Sequence, residues 1–340
     1  MKAPAFNTTV LFYPNKNPKL RLFALWYFTI LLVIWNILGH TILGFEQSWA
    51  SPVAAVLTAI AAQMLLEWID ARAKNRELRF AGSFSNFLNF LPAALIPGFA
   101  CGMLLYPNEN LWPIVFATAL SISSKVLFRA PVGNGHYQHI FNPSNFGVAL
   151  TLVLFPQVGF APPYHFTENL TGGWSWLLPV FVLFTGIIIH GLFTGRLPLV
   201  GAWVLGFIAQ GIIRAKLFGT PMFVPLMPMT SAAFIVFTLY MVPDPATTPL
   251  KPWRQALFGF SVAMVYGAIQ ILHLVFGLFF ALVTVCAIRG ISLHTLGTLG
   301  KLPGQPAREP AAPKPATPEA GLASLPGGLV TNRVVMTNEQ

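Results

Sequence analysis

The sequence predicts an all-α polytopic membrane protein of about ten transmembrane helices, several of them broken or half-length, and three observations carry that expectation. The 340 residues are 55% hydrophobic and only 9% charged, against about 25% charged in soluble domains. Apolar stretches long enough for a bilayer crossing, which takes about 20 residues, recur along most of the chain. Lysine and arginine gather in alternate connecting loops, the distribution that orients a membrane protein.

The first stretch, 22–43, follows the basic cluster Lys16, Lys19 and Arg21. No small-residue cleavage site follows it, so it reads as a retained span with residues 1–20 as a cytoplasmic segment before it. The second, 51–69, closes on Glu67 and Asp70, expected in solvent at the inner surface, and on Arg72, Lys74, Arg76 and Arg79. The third, 84–105, opens on FAGSFSNFLNFLPAAL, where Ser83, Ser85, Asn86 and Asn89 precede Pro92. The fourth, 111–128, runs to Lys125 and Arg129. The fifth, 141–157, starts at Asn142-Pro143, where proline suits a first helical turn and Asn142 suits the N-cap, with Ser144 and Asn145 in an exposed first turn. Stretches at 174–192 and 197–214 follow. The eighth, 229–242, is shorter than a full crossing and closes on VPDPATTP, placing Asp244, Thr247 and Thr248 at its end. Runs at 255–269 and 271–288 complete the set.

With the N-terminus inside, the inward loops carry the basic residues, while the outward loops at 44–50, 106–110 and 158–173 hold Glu46, Glu109 and Glu168 without lysine or arginine. Arg214 and Lys216 are the exception. The expected location is the bacterial cytoplasmic membrane with both termini cytoplasmic. One membrane domain covers 21–290, and the Pro/Ala-rich segment 291–340 reads as a disordered cytoplasmic tail.

A net charge of +10 is spread between apolar spans rather than drawn into one stripe, so no nucleic-acid partner is expected and the lipid bilayer is the first partner. Cys101 and Cys286 have no metal-ligand spacing and read as buried bystanders. The pair His136 and His139 has a loop spacing compatible with metal or phosphate contact but lacks companion ligands, so no metal site is assigned. Lys125 and Arg129 beside them suit either a phosphate or an inner-surface anchor. There is no phosphate loop, HExxH or nucleophile elbow, and no residue is singled out for catalysis. Three polar, proline-marked discontinuities, at 83–92, 142–145 and 228–231, supply what a ligand site built from broken helices needs. The same groups also serve as helix caps and interhelical glue.

Two of these segments carry a family resemblance. SSKVLFRAPVGNGHYQHIFNPSNFGVALTLVLFP is similar to the region of the RnfD and NqrB membrane electron-transport subunits in which a lysine-bearing helix end leads through a short basic loop to an Asn-Pro helix start. TSAAFIVFTLYMVPDPATTP resembles their eighth-helix segment, which ends in Asp-Pro and small hydroxyl residues. The resemblance covers about residues 20–290. It implies a urea-transporter-like fold of two repeated five-helix halves, with other membrane redox subunits as partners. In the family, FMN is attached to a threonine in a Ser-Gly-Ala-Thr motif, which falls here on Ser231, Ala232, Ala233 and Phe234. Phenylalanine has no hydroxyl, so covalent FMN is not expected, and non-covalent FMN, riboflavin or quinone takes its place. The chain looks closer to a divergent branch similar to a membrane protein of enediyne biosynthesis clusters.

The candidate contacts are Asn86, Lys125, Asn142, Asn145, Ser231, Phe234, Asp244 and Thr247. Phe87, Phe90 and Phe146 are further aromatics at the junctions. The readings that remain open are a redox subunit, a channel or transporter for a small polar solute or ion through Asn142, Asn145, Ser231 and Asp244, and a structural subunit.

Overall fold

The computed structural model describes residues 18–160 and 169–303. Lys16, Glu168 and the Pro/Ala-rich sequence from 304 onward lie outside the described residues, and with them the expectation of an N-terminal cytoplasmic segment and most of the expected tail; its first residues, 291–298, continue the last helix instead.

Helices dominate because a bilayer offers no water to an unpaired peptide group, and a helix satisfies those groups within one segment. In chain order they are α1 (Pro18–Leu38, continued by the wider turn Gly39–Leu43), α2 (Ala50–Ala73), α3 (Phe84–Leu104), α4 (Trp112–Leu127) and α5 (Pro143–Leu154). There follow α6 (Gly172–Thr194), α7 (Leu197–Phe218), α8 (Val224–Thr230 and Ala232–Met241), α9 (Pro252–Ile271) and α10 (Gly277–Thr298). Among the described residues six are long and apolar enough to cross a membrane, and α8, bent by 72° between its two pieces, makes a seventh. The protein is thus an all-α, multi-pass membrane protein. Among the described residues strands form two short antiparallel pairs. β1 (Leu105–Tyr106) pairs with β4 (Gly159–Phe160), tying the ends of α3 and α5 together. β2 (Arg129–Gly133) and β3 (His136–His139) form a hairpin.

That hairpin was read from sequence only as a loop. Its turn, Asn134-Gly135, has positive φ at both residues (52° and 71°), the conformation that suits a two-residue connection between right-twisted strands and that Asn-Gly adopts readily. The signal was present in GNGH.

The outer surface is apolar: Leu57, Phe184, Leu205 and Leu257 are all more than half exposed, as lipid-facing positions should be. Hydroxyls within the spans bond to their own helix, as Thr41 Oγ1 does to Ile37 O (2.7 Å) and Thr284 Oγ1 to Phe280 O (2.8 Å). Inside, close approach depends on small residues. Gly147 of α5 lies so near Ala117 O and Ser121 Oγ of α4 that a β-carbon has no room, and Gly259 of α9 stands likewise against Leu199 O of α7.

Two local devices recur. The first and sixth helices both end in a wide turn with histidine second, His40 and His190, followed by a left-handed glycine, Gly44 (φ 88°) and Gly195 (φ 60°). In α3 and α8 a serine caps the helix, the Ser83 and Ser231 hydroxyls each accepting the backbone N–H three residues on at 3.1 Å.

One sequence expectation fails at the end of α2. Glu67 is only 7% exposed and accepts from Arg76 Nη1 and Nη2 (2.5 and 3.0 Å), while Asp70 takes Arg76 Nη2 (2.5 Å) and Lys74 (2.5 Å). The segment after α2 folds back, so Glu67 is enclosed by its own basic neighbours rather than left in solvent.

Gly147→Val should lower the melting temperature sharply in detergent, because overpacking of a filled interface costs about 1–3 kcal/mol. Gly201→Ala, where a β-carbon meets nothing within 4 Å, should leave it within a degree or so, the small effect expected of a change at an open surface position. Equal melting temperatures for the two variants would show that the α4–α5 contact does not constrain the bundle.

Candidate functional site

At one end of the bundle α8, α9 and α10 enclose a cavity of about 430 Å³, within the range of small-molecule sites. Its walls include Phe160, Phe237, Tyr266, Phe276 and Phe279, with Ala233 and Val236 contributing the α8 side. Two of these rings, Phe160 and Phe279, touch each other in the wall, with centroids 5.1 Å apart. Gln270 and His273 are the polar side groups at the α9 end. The α9–α10 connection forms the rim and is strained: His273 and Phe276 have φ of 54° and 59°, a left-handed conformation costly for a bulky residue. Phe276 in that conformation immediately precedes Gly277, where α10 begins, and so stays at the wall.

Met241, the last residue of α8, lies at the cavity floor. A helix that stops inside a bundle leaves carbonyls without partners. Asn142 Nδ2 supplies one, donating to Met241 O at 3.0 Å. The same side chain caps α5, its Oδ1 accepting from Asn145 N (3.1 Å) and Ser144 Oγ (3.0 Å). Asn145 Nδ2 reaches Phe279 O on α10 at 3.1 Å. One Asn-Pro-Ser-Asn turn therefore ties together the end of α8 and the starts of α5 and α10. The capping role matches the sequence expectation. The exposed first turn does not: Ser144 is 8% exposed and Asn145 1%, because α8 and α10 close over it.

Three residues beyond Met241, Asp244 lies in a second polar region at the hairpin end of the bundle. Its Oδ1 accepts from Ala246 N (3.0 Å) and its Oδ2 from Thr247 Oγ1 (3.3 Å), while the backbone oxygen takes Thr248 Oγ1 (2.6 Å). His139 Nε2 stands 3.9 Å from Oδ2. Burial holds the His139 imidazole below its ordinary 6.5, with Asp244 pulling the other way and Lys125 and Arg129 adding to the depression. Arg196, between α6 and α7, is pulled down by burial to about 10 and remains protonated at neutral pH.

The structure thus gathers Asn142, Asn145, Asp244 and Thr247 around one junction, with Lys125 in electrostatic reach of Asp244. Lys125 Nζ donates to Ala93 O (2.6 Å) and Gln63 Oε1 (3.2 Å). Ser231 stands at the bend of α8, where its hydroxyl donates to Pro228 O (2.8 Å). Asn86 is exposed and bonds to Ala81 O (2.9 Å), apart from the others. Phe234 is 3% exposed and packs on Phe207 (4.7 Å) and Trp203 (5.8 Å) rather than lining the cavity. Phe146 stacks on Phe141 (4.5 Å) and Phe90 packs on Phe80 (5.4 Å), so neither they nor Phe87 are cavity walls.

The wall residues that sequence reasoning missed, Tyr266, Gln270, His273 and Phe279, lie in a run read as two lipid spans. The signal was a glutamine and a histidine inside that run. Arg196, in the connection between the stretches at 174–192 and 197–214 that the charge alternation treats as an inward loop, is fully buried. Cys101 and Cys286 are free and buried, and no group of three metal-ligating residues occurs among the described residues.

A comparison with known family models and with curated proteins finds no match to this chain.

Asn142→Ala should cost about 1–2 kcal/mol through the lost cap and leave Met241 O unpaired. Asn142→Asp keeps the cap but removes the donor, so it should fall between wild type and alanine in thermal stability. Equal behaviour of aspartate and wild type would show that the Met241 contact contributes nothing. Because His139 is held below 6.5 in the fold, the unfolded chain binds more protons near pH 6. Its contribution is therefore complete above pH 6.5 and lost progressively as pH falls below that value toward the lower folded-state value. Melting temperature should decline between pH 7.5 and 5.5 and decline less in His139→Gln; identical slopes would refute the assignment.

Proposed function

We propose that this protein is a membrane subunit of an electron-transport system of the RnfD/NqrB type and that it holds a planar redox ring, flavin or quinone, non-covalently in the cavity between α8, α9 and α10. The observation that carries the reading is an aromatic-walled cavity beside the bend of α8, the helix whose sequence resembles the flavin-bearing segment. The recurrence of the histidine turn at α1 and α6, and of the serine cap at α3 and α8, supports two five-helix halves of opposite orientation and ten crossings in all. With cytoplasmic termini in the bacterial inner membrane, the cavity opens to the outer side, and other membrane redox subunits are the partners.

The residues fit such a ring. Flat apolar faces are offered by Phe160, Phe237 and Phe279, and Gln270 and His273 supply hydrogen bonds for polar ring edges. Among the described residues no lysine or arginine belongs to the wall, which offers a phosphate no counter-ion; the lining favours riboflavin or a quinone over FMN. Phe234 also has no hydroxyl for a phosphoester. When bound, the ring supplies the electron transfer, and the chain positions it and excludes water. A second reading, passage of a small polar solute, draws on a specific feature: the cavity floor at Met241 and the polar turn at Asp244 are separated by three residues, with Asn142 and Asn145 beside them.

Protein purified gently in detergent should show visible or near-ultraviolet absorbance and release about one flavin or quinone per chain on acid precipitation. Ala233→Phe, which fills the cavity from α8, should abolish retention with little loss of thermal stability. No released ring from wild-type protein that has kept its partners would overturn the redox reading; solute uptake into liposomes, blocked by Ala233→Phe, would then establish transport.

A further inference from the structure

Among the described residues, the hairpin end of the bundle holds more positive charge than its carboxylates neutralise. Asp244 is the carboxylate in electrostatic reach of Lys125, His139 and Arg196. Arg129 also acts on His139, and Arg289 acts on Arg196. Asp244 is already engaged by Ala246 N and Thr247 Oγ1, so it cannot balance several cations.

Arg196 makes the imbalance specific. Its side chain is 0% exposed, and Nη2 donates to Pro245 O at 3.1 Å, which places the guanidinium against the Asp244 turn. Its Nε and Nη1 have no hydrogen-bond partner among the described residues. Arg76, by contrast, is met by two carboxylates. A guanidinium removed from water with two donors unmet is costly, and a buried cation is stable where an anion meets it. Lys125 has used two of its three donors and keeps one.

We infer that Arg196, set against the same Asp244 turn that His139 and Lys125 face, forms a binding site for a phosphate-type oxyanion at the hairpin end of the bundle. The anion accepts from Arg196 Nε and Nη1, which have the strength of charge-assisted donors, and the Asp244 turn fixes the guanidinium through Pro245 O. The site lies at the opposite end of the bundle from the cavity and stands whether or not a ring binds there. Free phosphate and the headgroup of an anionic phospholipid present the same chemistry.

The test uses the full chain in nanodiscs. In discs of neutral phosphatidylcholine, titration with inorganic phosphate should raise the melting temperature saturably. In discs containing phosphatidylglycerol, native mass spectrometry should show that lipid retained. Either response identifies the source and upholds the site, provided that Arg196→Gln weakens it by about tenfold or more, the scale of one lost hydrogen bond to a charged group. Arg214→Gln, at the other end of α7 and bonded to Gln210, should respond as wild type. Lys125→Met is read in parallel and should weaken binding several-fold, which keeps the site testable if Arg196→Gln does not fold. No response of the wild type to phosphate or phosphatidylglycerol overturns the proposal. So does a folded Arg196→Gln that responds as wild type, or, should that variant not fold, a Lys125→Met that does.

Discussion

The hydrogen bond from Asn142 to the Met241 carbonyl is the contact on which the interior of this protein depends. A helix that ends within a membrane bundle exposes carbonyls to an environment without water, and the chain must supply donors from its own side chains. Asn142 does so while its other atom caps α5, so a single amide closes the end of one helix and opens the next. Asn145 adds the third partner through Phe279. The cavity floor, the start of α10 and the path to the Asp244 turn all take their positions from this group of side chains. An apolar residue at 142 would fit the hydropathy of the region and still leave Met241 O unpaired.

The remaining polar groups follow the same economy. His190 is buried with Nδ1 at Thr194 Oγ1 (2.7 Å) and Nε2 at Leu239 O (2.5 Å), so both ring nitrogens are engaged and the imidazole secures α6 to α8. Trp203 Nε1 donates to Thr238 Oγ1 at 2.8 Å within a cluster of aromatic rings. Gln47 bridges to Met103 O and Leu105 O at the end of α3. Apolar packing holds the helices at close range, and these bonds select which ends meet, because a shifted helix would leave a donor or acceptor bare.

Fold class was legible because lipid exposure demands long apolar runs, and those runs can be counted: the stretches expected at 84–105, 111–128 and 197–214 correspond to α3, α4 and α7 within a few residues. The Asn142 cap was legible for the same local reason, since an Asn-Pro start specifies its own hydrogen bond. What escaped was tertiary. Nothing in the vicinity of Glu67 announces that Arg76 folds back over it, and the burial of Ser144 and Asn145 depends on α8 and α10, about a hundred residues away in sequence. The aromatic wall was hidden because a phenylalanine facing lipid and one facing a cavity look alike; Phe234, chosen for its place in a motif, turns into the Trp203 cluster, while its neighbour Ala233 faces the cavity.

The shortness of α5 has an electrical consequence. Its 12 residues extend about 18 Å at 1.5 Å per residue, well under the thickness of the hydrocarbon layer, and the cavity reaches Met241 from one end while Asp244 belongs to the polar turn at the other. In a form of the protein in which water fills the cavity and reaches the Asp244 turn, the insulating layer is thinnest at this junction and most of the membrane voltage falls across it. A unit charge crossing the whole potential exchanges about 2.3 kcal/mol per 100 mV. At this junction, a displacement of a few ångströms between Met241 and Asp244 would couple to most of that energy, where a charge moving along the full-length α2 would need to travel the whole membrane.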